Sequence, residues 1–147
     1  MTHFEWDQAL ETSCEPIDTR HESLFNIASG LHKIAEQNPQ DQDAITEAVY
    51  GVVGSVVDSF REEEALMREY DYPGIDRHRT LHRRLAADVL DFAAHYLYGE
   101  DLEPAQLAFL VEKWLRRHIL RYDMRMVAFI EHAKSARWAV ESPRSRA

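Results

Sequence analysis

Apolar side chains recur at three- and four-residue spacing over four long stretches, the pattern of amphipathic helices packed on a common core. The first stripe, Ile17, His21, Leu24, Phe25, Ala28, Leu31 and Ala35, predicts a helix over about 18–37 that Asn38-Pro39 breaks. An arm at 1–16 precedes it, with Phe4 and Trp6 as anchors, Pro16 at its end and Asp18 or Thr19 as helix cap. The second stripe, Ile45, Val49, Val52, Val53, Val56, Phe60, Glu63, Leu66 and Met67, predicts a helix over about 41–70. Asp71-Tyr72-Pro73-Gly74 is a turn. The third, Ile75, His78, Leu81, His82, Leu85, Val89, Phe92 and Tyr96, covers about 75–98. The fourth starts at Glu103-Pro104 and runs through Leu107, Leu110, Val111, Trp114, Leu115, His118, Ile119, Tyr122, Met126, Phe129 and Ile130 to about 138. Residues 1–138 then form one domain, and 139–147 a polar, basic tail or linker.

Four such helices with short connections predict an all-α, antiparallel up-down-up-down four-helix bundle with an N-terminal arm. That topology gives the polar interruptions of the stripes a meaning. His21 is early in the first helix, Glu63 late in the second, His78 and His82 early in the third, and His118 and Asp123 past the middle of the fourth. Alternating helix directions bring all six to one end of the bundle. A carboxylate on an apolar seam is costly unless paired, and two histidines four residues apart share a helix face and suit a metal. Four imidazoles and two carboxylates match two metal ions bridged by the carboxylates. Nitrogen and oxygen donors without thiolate point to iron, manganese, zinc or copper.

Composition narrows the rest. A net charge of −9 without a basic stripe excludes a nucleic-acid partner. The single cysteine, Cys14, excludes an internal disulfide and fits a reducing, cytoplasmic compartment. The start of the chain has no apolar run of a signal peptide, and no stretch is long enough to span a bilayer. His3, His32, His95 and His132 lack company and read as ordinary surface or core residues; Glu62 and Glu64 read as a solvated helix face, Trp114 and Tyr122 as packing, and Cys14 as a bystander. A ferritin-like site needs Glu-x-x-His pairs, and the sequence has none.

Four motifs in order make the chain resemble the bacterial hemerythrins: Ile17-Asp18-Thr19-Arg20-His21, then Ser59-Phe60-Arg61-Glu62-Glu63-Glu64-Ala65-Leu66-Met67, then Tyr72-Pro73 with His78-x-x-x-His82, then Trp114-Leu115-Arg116-Arg117-His118-Ile119-Leu120-Arg121-Tyr122-Asp123. The likeness runs from about Trp6 to Phe129. It implies two iron ions, oxo- or hydroxo-bridged when oxidised, with dioxygen as ligand. By position, His78, His82 and His118 hold one iron, Glu63 and Asp123 bridge both, and His21 holds the second, where the family binds dioxygen. The chain departs from the pattern at Ser59, where the family has a further histidine ligand, and at Ser55, often a tyrosine.

The expectation is therefore a non-haem di-iron, oxygen-binding domain with an open, readily autoxidised site that admits small anions. Its role would be sensing oxygen or redox state, as the N-terminal sensor of a longer signalling protein or with a partner output domain, and the module itself would not be an enzyme. An oxygen carrier or store, a di-iron peroxidase, oxidase or nitric-oxide-reactive enzyme, and an interaction bundle with a decayed site are the alternatives.

Overall fold

The computed structural model describes residues 5–141. Its long helices are α1 (Glu15–Gln37), α2 (Gln42–Glu69), α3 (Ile75–Leu97), α4 (Pro104–His118) and α5 (Met124–Glu141). A five-residue π-helical turn, Ile119–Asp123, joins α4 to α5 into one rod. The rod is the fourth strut of an antiparallel four-helix bundle, in which α1 packs on α2 and α4, and α3 on α2 and α4. Among the described residues there is no strand.

Helix boundaries agree with the expected ones within a few residues, with one difference at each end of the chain. α1 starts at Glu15, three residues before 18, and Pro16 lies in its first turn instead of ending the arm. Proline fits there because a first-turn amide has no helical acceptor in any case. Cys14 occupies the cap position. Asp18 does not cap the helix; its carboxylate accepts hydrogen bonds from the Thr12 amide at 2.9 Å and the Thr12 hydroxyl at 2.7 Å, which ties the arm to α1. Trp6 anchors the arm edge-on to Phe25, with ring centroids 5.7 Å apart. Phe4 and His3 lie outside the described residues, as does the tail from 142 onward. α5 runs on to Glu141, past the expected end near 138.

The turn between α2 and α3 is tight because Asp71 adopts a left-handed conformation (φ 52°), and the Tyr72 amide closes back on the Met67 carbonyl at 2.9 Å. Aspartate tolerates that region better than most residues. The sharp reversal sets the end of α2 against the start of α3.

The apolar interior is in two parts. A long core includes Leu24, Phe25, Val49, Val56, Phe60, Leu85, Val111, Leu115 and Ile119. A short cap beyond it consists of Cys14, Ile17, Met67, Met126, Val127 and Ile130. Along every strut the polar residues fall between the two: His21 between Ile17 and Leu24, Glu63 between Phe60 and Met67, and Asp123 between Ile119 and Met126. The polar layer is thus closed above and below by hydrocarbon. Cys14 is part of that closure, buried at 2% exposure.

Candidate metal centre

All six side chains singled out in the sequence meet in this layer, each at most 3% exposed: His21, Glu63, His78, His82, His118 and Asp123. The two carboxylates sit in the middle and face both ways. Glu63 Oε2 lies 3.1 Å from His82 Nε2 and 3.6 Å from His78 Nε2, while Glu63 Oε1 lies 2.7 Å from His21 Nε2. Asp123 divides in the same way: Oδ1 is 2.9 Å from His78 Nε2 and 3.0 Å from His118 Nε2, and Oδ2 is 3.2 Å from His21 Nε2. One oxygen of each carboxylate serves a three-histidine side; the other serves His21 alone.

The π turn is what delivers Asp123. His118 and Asp123 are five residues apart, which on an α-helix leaves their side chains well off a common face. A π turn has the wider i→i+5 repeat, and it sets the two in contact. Asp123, one residue past Tyr122 of the apolar stripe, is therefore inward through a local change of helix type.

Three imidazole nitrogens point at one another: His118 Nε2 is 3.0 Å from His78 Nε2 and 3.2 Å from His82 Nε2. Neighbouring ligands at right angles on a metal with bonds of ~2.1 Å stand ~3.0 Å apart. Glu63 Oε2 and both oxygens of Asp123 are buried against imidazole nitrogens that are not aligned to hydrogen-bond them, and His21 Nδ1 is buried without a partner among the described residues. Buried polar atoms left without hydrogen bonds are costly, and a cation would satisfy the carboxylate oxygens. Glu63, His78, His82, His118 and Asp123 each offer a ligand atom, all within 4.8 Å of one another. The donor set fits metal.

The charges agree. Burial works against ionisation of His21, but Asp123 and Glu63 outweigh it and push its pKa up to about 10. The same contest takes His78 up to about 9. Burial dominates at His118 and lowers it, with the nearby His78 adding to the effect. Burial opposes ionisation of both carboxylates, and Asp123 further opposes that of Glu63, yet the histidines around them hold both below the usual carboxylate range. In the metal-free protein at pH 7, His21 and His78 therefore carry protons. Metal uptake at that pH is expected to release about two protons per chain, seen as acidification of a weakly buffered solution. Because the folded pKa values lie above the unfolded one of 6.5, the stability that these two histidines contribute to the metal-free protein is complete below pH 6.5 and is lost as pH rises through about 9 and then about 10.

Three residues around the ligands were assigned other roles in the sequence reading or none. Glu64 is not a purely solvated residue: its Oε1 is 3.2 Å from His82 Nδ1 and its Oε2 is 3.3 Å from Arg79 Nε, so it orients the back of that imidazole. Phe60 stacks on His82 with centroids 3.9 Å apart and planes within 4°, and Trp114 stacks on His118 at 4.2 Å and 15°. These rings fix imidazole orientation as well as filling space. Glu62 does face solvent, paired with Arg20. His32 packs on the Phe109 ring at 5.1 Å, and His95 sits exposed between Asp91 and Glu100, all away from the centre.

Ser59 lies one turn before Glu63 on α2, 3% exposed, and Ser55 one turn earlier is half-buried. One side of the layer thus has three imidazoles and the other has His21.

A four-helix bundle with a buried polyhistidine, dicarboxylate layer defines a metal-binding helical protein. The Hemerythrin HHE cation binding domain family matches residues 13–130, and the chain belongs to that family. It is 27% identical to a bacteriohemerythrin of Pseudomonas aeruginosa over 135 residues, covering 92% of this chain and 86% of that protein. It is 28% identical to a myohemerythrin of Riftia pachyptila, over 82% of this chain and 88% of that one. The crystal structure of a wild-type hemerythrin superposes with a TM-score of 0.79 at 23% identity, covering 86% of this chain and 96% of that one, a likeness of fold.

Proposed function

We propose that the protein is a non-haem di-iron, oxygen-binding domain that reports oxygen or redox state. The observation that carries this reading is the division of the two carboxylates, each with one oxygen toward His78, His82 and His118 and the other toward His21. Two adjacent cation positions share Glu63 and Asp123 in that arrangement. Irons held by these residues would supply the electrons for binding and reducing dioxygen.

The rest of the function is in the chain. His78, His82, His118 and the inner carboxylate oxygens give one position five protein donors. His21 and the two outer oxygens give the other position three, and the short Ser59 side chain adds no nitrogen donor. Water or a small anion completes that side. A position with only three protein donors leaves coordination sites for water, and water there would favour rapid oxidation over reversible carriage, which is why sensing is preferred to storage. The reading assigns no turnover to the module itself. A signalling output domain or partner and a cytoplasmic location belong to the same proposal; no helix among the described residues is long and apolar enough to cross a membrane.

Iron per chain, measured by elemental analysis on protein purified in air, is expected to be about two. About one iron per chain, or none, would remove the oxygen-binding reading, because the His21 side would then hold no metal.

A further inference from the structure

The face of the bundle between α3 and α4 stands out from an otherwise acidic chain of net charge −9. A cavity of about 290 Å³ opens there, lined among others by Arg84, Asp88, Trp114, Arg117, His118 and Tyr122. Arg77 lies over the ring of Tyr122, one of the lining residues, at 5.8 Å. Arg77, Arg84 and Arg117 are all exposed. The neighbouring arginines Arg79 and Arg116 are paired with Glu64 and Glu112, whereas among the described residues no carboxylate pairs with Arg84 or Arg117. Asp88 is the one acid in the cavity wall.

Beneath these cations is a direct aromatic route inward. Trp114 is half-buried, lines the cavity and stacks on His118 at 4.2 Å. His118 Nε2 in turn touches His78, His82 and Asp123. Phe60 makes the equivalent stack on His82 but is buried at 6% exposure. Electron tunnelling weakens steeply with distance, so a ring in van der Waals contact with a ligand, and open to a surface groove, is where an electron enters most readily.

We propose that this groove docks an acidic one-electron carrier protein and that the electron passes through Trp114 to His118. The proposal rests on the di-iron reading. In each encounter the carrier is oxidised by one electron and the centre reduced by one; two encounters take two ferric ions to ferrous, and no bond to the carrier forms. The three arginines attract the carrier while the acidic remainder of the surface repels it, which orients the encounter. A domain that oxidises readily in air needs such a route to be reset.

The test uses the whole chain, loaded with iron, and a reduced plant-type ferredoxin as the acidic carrier. Iron per chain is determined first and decides the di-iron reading alone. Ferredoxin binding at low salt, read by calorimetry, decides the groove whether or not iron is present. The expected result is binding that weakens with added salt and is lost in the double variant Arg84→Glu, Arg117→Glu. With iron present, that variant is expected to be reduced by ferredoxin roughly tenfold more slowly or worse, and no more slowly by the cationic hexaammineruthenium(II). Trp114→Leu is expected to slow reduction at saturating ferredoxin, where the rate no longer depends on affinity. Undiminished ferredoxin binding by the double variant overturns the proposal, and so does equal slowing with both reductants. Charge reversal that affects hexacyanoferrate but not ferredoxin makes the groove a small-anion site and overturns it as well.

Discussion

Ser59→His is expected to slow the air oxidation of the reduced, iron-loaded protein and to tighten its hold on the second metal. Position 59 lies four residues before Glu63 on α2, so both side chains leave the same face of the helix. Glu63 Oε1 already meets His21 on that side at 2.7 Å. An imidazole at 59 would point at the same place and add a nitrogen donor where His21 now stands alone. Losing even an outer partner of a metal ligand commonly costs roughly ten- to a hundredfold in affinity, so gaining a direct ligand should be worth at least that. Some of the gain is offset by crowding, since Ser59 is 3% exposed and overpacking a filled interior costs about 1–3 kcal/mol. Competition with a chelator for the second metal reads the affinity, and the loss of the reduced state under air reads the oxidation. If Ser59→His binds the second metal no more tightly and oxidises no more slowly, Ser59 does not limit the site.

The fold was readable because the stripes of all four struts are long and keep helical spacing. Six polar interruptions in those stripes, combined with antiparallel topology, were enough to bring His21, Glu63, His78, His82, His118 and Asp123 to one level. What escaped has definite physical causes. The π turn left no mark on the hydrophobic pattern, because Ile119, Asp123 and Val127 keep a four-residue spacing straight through it. Its one trace was the five-residue interval from His118 to Asp123. Glu64 was passed over because its partner, His82, is on another helix, and a carboxylate beside Glu62 and Glu63 has no local pattern to single it out. Trp114 fits a packing stripe as well as it fits a ring stacked on His118; only coordinates tell one from the other. α1 starts ahead of its apolar stripe because Pro16, which suits the end of an arm, serves equally well in a first helical turn.

Asp123→Asn is expected to have the largest effect of any single ligand substitution, with or without metal. With metal, Asp123 meets all three of its histidines within 3.2 Å, His78 and His118 through Oδ1 and His21 through Oδ2, whereas Glu63 stands 3.6 Å from one of its three. An amide has one oxygen, so it cannot serve both sides, and its NH2 group meets an imidazole or a cation unfavourably. Iron per chain should fall from about two to one or fewer, and the melting temperature should lose most of the increase that metal gives. Without metal, the charge balance fails. Asp123 and Glu63 together keep protons on His21 and His78, whose pKa values stand at about 10 and about 9. With Asn at 123, one carboxylate faces two imidazolium groups in a layer closed by hydrocarbon on both sides, and at least one of them must give up its proton. Removing one partner of a buried charged pair costs about 3–5 kcal/mol. For a chain of this size that corresponds to a melting temperature lower by on the order of 10 °C. The pH dependence separates this from a loss of packing. Wild-type metal-free protein should lose stability as pH rises through about 9 and about 10, whereas Asp123→Asn should lose it at lower pH, because its histidines have already begun to release their protons. An unchanged alkaline limb in the variant would mean that Asp123 does not hold those protons, and that Glu63 alone sustains the charge of the layer.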